Sequence, residues 1–132
     1  MRIFTRREKV VFPCKLDPLH LGHVVVIKNM LKKYNVILDI YLYPNRVMDI
    51  LEICHILRDV LDEKEYRRIY IATHTISYAK SIEQLQNKYP IYTGNKEVYK
   101  KCQAGNYNVS LMPRYRKYHS TYMRKYWGEI RV

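Results

Sequence analysis

Two histidines, His20 and His23, stand three positions apart around Leu21 and Gly22, between an apolar run, Lys9 to Phe12, and a helix-compatible stretch, Leu21 to Lys33. On a helical turn this spacing brings both imidazoles to one side. Gly22 has no Cβ, so a ligand can approach the backbone closely there. A helix that starts just after a strand presents unpaired amides and a positive dipole end, which together stabilise a phosphate. Imidazole donors at that point would offset the charge that builds on an α-phosphate during in-line displacement, chemistry that needs positioning more than covalent participation. Lys15, just past the strand edge, can reach the same oxygens. Taken alone, however, an H-x-G-H is more often a pair of histidines bonded to backbone or serving as zinc ligands.

The elements that would hold these residues follow from the hydrophobic pattern. Strand-like runs lie at Val10 to Phe12, Val36 to Leu42, Ile69 to Ala72, Ile91 to Thr93 and Val109 to Met112. Helix-compatible stretches at Leu21 to Lys33, Asn45 to Leu61, Ile76 to Lys88 and Lys96 to Cys102 alternate with them, the last closed by Gly105. Such alternation implies βαβ units with right-handed crossovers. The expectation is an α/β fold: a single Rossmann-like domain over residues 1–132, with about five parallel strands and helices on both faces.

Composition narrows the classes of function. Hydrophobic residues make up 48% and charged residues 27%, as in a globular protein, and no apolar run reaches the roughly 18 to 20 residues of a membrane span. The basic N-terminus leads into a short run ending at Pro13 and not into a secretory h-region, so a cytoplasmic protein without membrane association is expected. Three widely spaced cysteines, Cys14, Cys54 and Cys102, argue against a disulfide framework or a zinc site. The formal charge of +12 calls for anionic partners, and nucleotide phosphates, nucleic acid and an acidic surface all qualify. Fourteen tyrosines among the cations suit stacking on single-stranded RNA as well as core packing.

Lys15 to His23, Lys-Leu-Asp-Pro-Leu-His-Leu-Gly-His, resembles the G-[ST]-F-D-P-x-H-x-G-H signature of the nucleotidyltransferase superfamily, which includes cytidylyltransferases and nicotinamide-nucleotide adenylyltransferases. Ile91 to Asn95 is similar to the strand-end Y-S-G-N of the archaeal-type adenylyltransferases, and Arg116 to Arg124 to their R-K-E-Y-S-G-T-E-I-R. Order and spacing match across most of the chain. The resemblance implies an enzyme that transfers the adenylyl group of ATP to a phosphorylated acceptor such as nicotinamide mononucleotide and releases pyrophosphate. On that reading His20, His23, Lys15 and Arg124 are catalytic. Cys14, Leu16, Gly22, Thr93, Gly94, Asn95, Tyr118, Thr121, Met123 and Arg124 bind the nucleotide, and Arg46 binds the acceptor. Magnesium is expected on the nucleotide phosphates and not in a protein cage. A homo-oligomer is the expected assembly.

Several positions depart from the family pattern. Cys14 replaces the Gly after the first strand, Leu16 the Phe, and His119 the Ser of the last motif. A long family loop after the second strand is missing, because Tyr43-Pro44 passes almost directly to Asn45-Arg46-Val47-Met48. Two other readings therefore stand beside the first: a CTP-dependent cytidylyltransferase, and a noncatalytic nucleotide- or RNA-binding protein on the same fold. Asp17 before Pro18 is read as a turn initiator, Cys14 as inert packing, and His55 and His74 as structural histidines. Trp127 is read as a packing anchor, and the basic residues around Arg124 as facing solvent or another subunit.

Overall fold

A computed structural model of the chain describes residues 7–75 and 89–112. In order, the elements are β1 (Lys9–Cys14), α1 (Leu21–Leu31), β2 (Asn35–Tyr41), α2 (Ile50–Val60), α3 (Glu63–Tyr66), β3 (Ile69–His74), β4 (Ile91–Thr93), α4 (Lys96–Ala104) and β5 (Val109–Leu111). The strands form one parallel sheet in the order β3-β2-β1-β4-β5. This is the expected α/β Rossmann-like architecture. The stretch Ile76 to Lys88, expected to be helical, lies outside the described residues.

Alternation along the strands divides the core between the two faces of the sheet. Val10, Phe12 and Cys14 of β1 are level with Val36, Leu38 and Ile40 of β2. This face is covered by Val24, Ile27 and Leu31 of α1 and by Ile53 and Leu57 of α2. On the other face Val11 and Ile91 pack with Val98 and Cys102 of α4, flanked by Ile37 and Val109. Helices thus cover both faces, as a buried parallel sheet requires.

The chain reverses direction across the sheet between β1 and β4, and there Pro13 has a specific consequence. Val11 donates its N–H to Pro90 O at 2.8 Å, toward β4. Residues two apart in a strand direct their N–H groups to the same side, so Pro13 faces β4 with no proton to donate. The β1–β4 register is the single pair Val11↔Ile91, whereas pairing with β2 continues through Cys14↔Ile40. The first strand therefore runs two residues past the expected Phe12, and Cys14 is its last residue rather than the first of the loop.

Two other boundaries differ from expectation. α2 begins at Ile50 and not at Asn45, because Asn45 takes a left-handed φ of 62° and Asp49 is the N-cap, accepting from Glu52 N at 2.9 Å. Short α3 was not expected. Its signal was a capping box, in which Asp62 accepts from Glu65 N at 2.7 Å and Glu65 accepts from Asp62 N at 3.0 Å. Gly105 closes α4 as expected, although for a reason other than positive φ. A Cβ there would lie 2.8 Å from the Tyr107 ring, and Asn106 carries the left-handed turn at φ 60°.

Candidate functional site at the switch point

α1 and α4 start at the carboxyl ends of neighbouring strands and lie on opposite faces of the sheet. Open α/β sheets bind ligands at such a switch point. At the start of α1, His20 is the N-cap and its Nδ1 accepts from Gly22 N at 3.1 Å and from His23 N at 3.4 Å. His23 Nδ1 in turn accepts from His20 N at 3.2 Å. The result is a capping box built from two histidines, whose rings stack with centroids 3.7 Å apart. Residues of this type are not among the usual caps, so the sequence signal was legible only as the three-residue spacing.

These bonds determine the chemistry of both rings. A nitrogen that accepts a hydrogen bond carries no proton, so each Nδ1 is bare and each neutral imidazole carries its proton on Nε2. Burial, reinforced by neighbouring His20, holds the His23 pKa down to about 3. His23 is therefore neutral at physiological pH, and its Nε2–H is a donor. No acidic residue lies in the first turn of α1 to oppose an anion. The expected alternative of imidazoles bonded to backbone holds for both Nδ1 atoms. Among the described residues no group of three His, Cys, Asp or Glu is placed to hold a metal ion.

The loop between β1 and α1 is tied to the loop after β2. Asp17, 4% exposed, accepts from Met48 N at 2.7 Å through Oδ1 and from the Tyr43 hydroxyl through Oδ2. Asp17 thus links two loops and does more than initiate a turn. Arg46 donates to Met48 O at 2.9 Å, Tyr41 O at 2.7 Å and Leu16 O at 3.0 Å. Its guanidinium clasps both loops, leaving two of its five N–H groups for any acceptor. Leu16 takes a left-handed φ of 49° with its side chain 1% exposed in the core. A branched side chain in that region costs about 1 to 3 kcal/mol, which the Arg46 bond and the packing offset. The sequence offered no signal for this network, whose partners are about 26 to 31 residues apart.

Of the remaining residues of that loop, Lys15 is exposed, its ammonium 5.5 Å from the Tyr43 ring centroid. Cys14 is buried and its thiol is raised well above the ordinary range by desolvation and by Asp39, against a smaller opposing effect of Arg46. That agrees with the inert role expected of it. Between β2 and β3, His74 Nδ1 lies 2.7 Å from Asp39 Oδ1, and the His74 ring stacks on Tyr41 with centroids 5.5 Å apart. Burial raises the Asp39 pKa while His74 opposes the shift.

At the end of β4, Thr93 is 1% exposed and its Oγ1 accepts from Asn95 N at 3.1 Å. Asn95 caps α4, accepting from Glu97 N at 2.8 Å and Val98 N at 3.3 Å. A Cβ on Gly94 would meet nothing within 4 Å, so the backbone is open to close approach there. The structure therefore brings His20, Gly22, His23, Lys15, Thr93, Gly94 and Asn95 to the carboxyl ends of two adjacent strands. Tyr118, Thr121, Met123 and Arg124, with His119 and Trp127, lie outside the described residues. No helix among the described residues is long and apolar enough to cross a membrane. Compared with known proteins, the chain matches no family model and no curated protein.

Proposed function

We propose that the chain is a nucleotidyltransferase that passes the adenylyl group of ATP to a phosphorylated acceptor, with nicotinamide mononucleotide as the first candidate. The observation that carries this reading is the pair of stacked imidazoles at the start of α1, each with Nδ1 accepting a backbone amide proton. In the proposed reaction an acceptor phosphate oxygen forms a bond to the α-phosphorus of ATP. The bond from that phosphorus to the β-bridging oxygen breaks, and pyrophosphate leaves. Nε2–H groups of His20 and His23, at the positive end of the α1 dipole, donate to the nonbridging oxygens where charge accumulates. Magnesium would travel on the triphosphate, and no step is assigned to a protein-held metal. The resemblance of Lys15 to His23, Ile91 to Asn95 and Arg116 to Arg124 to the H-x-G-H nucleotidyltransferases gives the reading its substrate class. Under it, Arg124, Thr121, Tyr118 and Met123 complete the phosphate and base contacts, and the fold acts in the cytoplasm as a homo-oligomer.

Pyrophosphate release from ATP and nicotinamide mononucleotide tests the proposal. His23→Ala is expected to lower the rate by about 100- to 1000-fold, the usual effect of losing one such donor. Near-normal turnover in that variant would remove the proposed role. A noncatalytic nucleotide or RNA binder is favoured by one observation, that Arg46 directs three nitrogens to backbone carbonyls and not to an acceptor. A melting-temperature panel of ATP, CTP, nicotinamide mononucleotide and RNA separates these readings, because a ligand of the native state raises stability by mass action. Stabilisation by CTP and not ATP would point to cytidylyl transfer, and stabilisation by RNA alone would end the enzymatic reading.

A further inference from the structure

We propose a second anion site at the opposite end of α1, a pocket that takes a small molecule carrying two or more clustered phosphate groups. α1 has 11 residues, so this end lies roughly 12 to 16 Å from the histidine pair at 1.5 Å per residue. The proposal is independent of nucleotidyl transfer. The pocket has a volume of about 440 Å³ and is lined by Arg7, Lys28, Lys32 and Arg68 around Glu65. That volume is within the range of small-molecule sites.

The charges in the pocket do not balance. Four cations face one carboxylate, and Glu65 Oε1 already accepts from Lys28 Nζ at 3.2 Å and from Asp62 N at 3.0 Å. Arg7 donates to Leu31 O at 2.6 Å, and Arg68 donates to the same carbonyl. Capping the negative end of α1 explains one N–H of each guanidinium, and Arg68 Nε also donates to Lys64 O at 3.5 Å. A guanidinium has five, so most remain for another acceptor. Two guanidiniums on one oxygen also repel each other. Burial, and after it Arg7, lowers the Arg68 pKa against smaller opposing effects of Glu65 and Asp62. Lys32 is exposed, and its ammonium enters no hydrogen bond or ion pair among the described residues. A clustered polyphosphate would relieve this repulsion, and its oxygens match the arginine forks in bidentate geometry.

The test is a calorimetric titration of the whole chain with inorganic tripolyphosphate, on wild type and on His23→Ala, so that loss of the histidine site cannot imitate loss of this one. Saturable binding is expected to persist in His23→Ala. It should weaken roughly tenfold or more in Lys32→Gln, as expected for a lost charge-assisted hydrogen bond. Arg68→Gln should do the same, and if it fails to fold, Lys32→Gln still decides, since the Lys32 side chain enters no hydrogen bond or ion pair among the described residues. Unchanged affinity in Lys32→Gln, absence of saturable binding in His23→Ala, or tighter binding of single-stranded oligouridylate than of tripolyphosphate at equal salt would each overturn the proposal.

Discussion

His20 has two separable roles on the two nitrogens of one ring. Nδ1 caps α1, and Nε2–H is the donor proposed for the phosphate. His20→Asn keeps a capping oxygen and loses the ring, so its melting temperature should stay near wild type while pyrophosphate release falls. His20→Ala should lose both, with about 1 kcal/mol of stability. If His20→Asn were as unstable as His20→Ala, the cap would not be what the side chain contributes. His23 makes a pH-dependent contribution. Its folded pKa of about 3 lies below its ordinary 6.5, so between those values the unfolded chain binds the proton and the folded chain does not. Stability from this group is present above pH 6.5 and is lost as pH falls toward 3, with a slope of at most about 1.4 kcal/mol per pH unit. Denaturant titrations should show that slope reduced in His23→Gln, and an unchanged slope would contradict it. Asp17 supports the same loop. Asp17→Ala strands the buried Met48 N–H and should cost about 1 to 3 kcal/mol in chemical denaturation, while Asp17→Asn, which keeps an acceptor, should cost less.

The elements were readable where hydrophobic period and punctuation agree. The runs at 36–42, 69–72, 91–93 and 109–112 became strands shifted by at most two residues at either end. The helix starts at Leu21 and Lys96 fell where expected, and the structure adds the cap that stands before each, His20 and Asn95. Where a tertiary bond overrode the local pattern the reading failed. Asn45 to Asp49 continues the apolar spacing of α2, yet Arg46 and the Met48 amide are drawn toward the neighbouring loop, so the helix waits for Asp49. β1 outran its expected end because Pro13 affects only the edge facing β4. Helix α4 tests the capping argument by itself. Asn95→Ala should lower stability by about 1 kcal/mol, and Asn95→Asp should restore it, both read from thermal or denaturant unfolding.

For the whole molecule, the strand order places the switch point between β1 and β4, and the motif residues at 20–23 and 93–95 flank it. Parallel strands with helices on both faces followed from alternation of strands and helices, whereas the strand order did not. The ties through Asp17 and Arg46 did not follow, because contacts across loops leave no periodic trace. With a charge of +12, electrostatic attraction to any polyanion will be general and will weaken with salt. Specific ligands must therefore be recognised by where they act and not by binding alone. The most direct measurement is nitrogen-edited NMR of the histidine rings during an ATP titration at physiological salt. His20 and His23 should begin as neutral Nε2–H tautomers, and their Nε2 signals should shift together, saturably, as ATP fills the site. Protonated Nδ1 atoms at the outset, or saturation by ATP with both Nε2 signals unmoved, would contradict a triphosphate held by this pair.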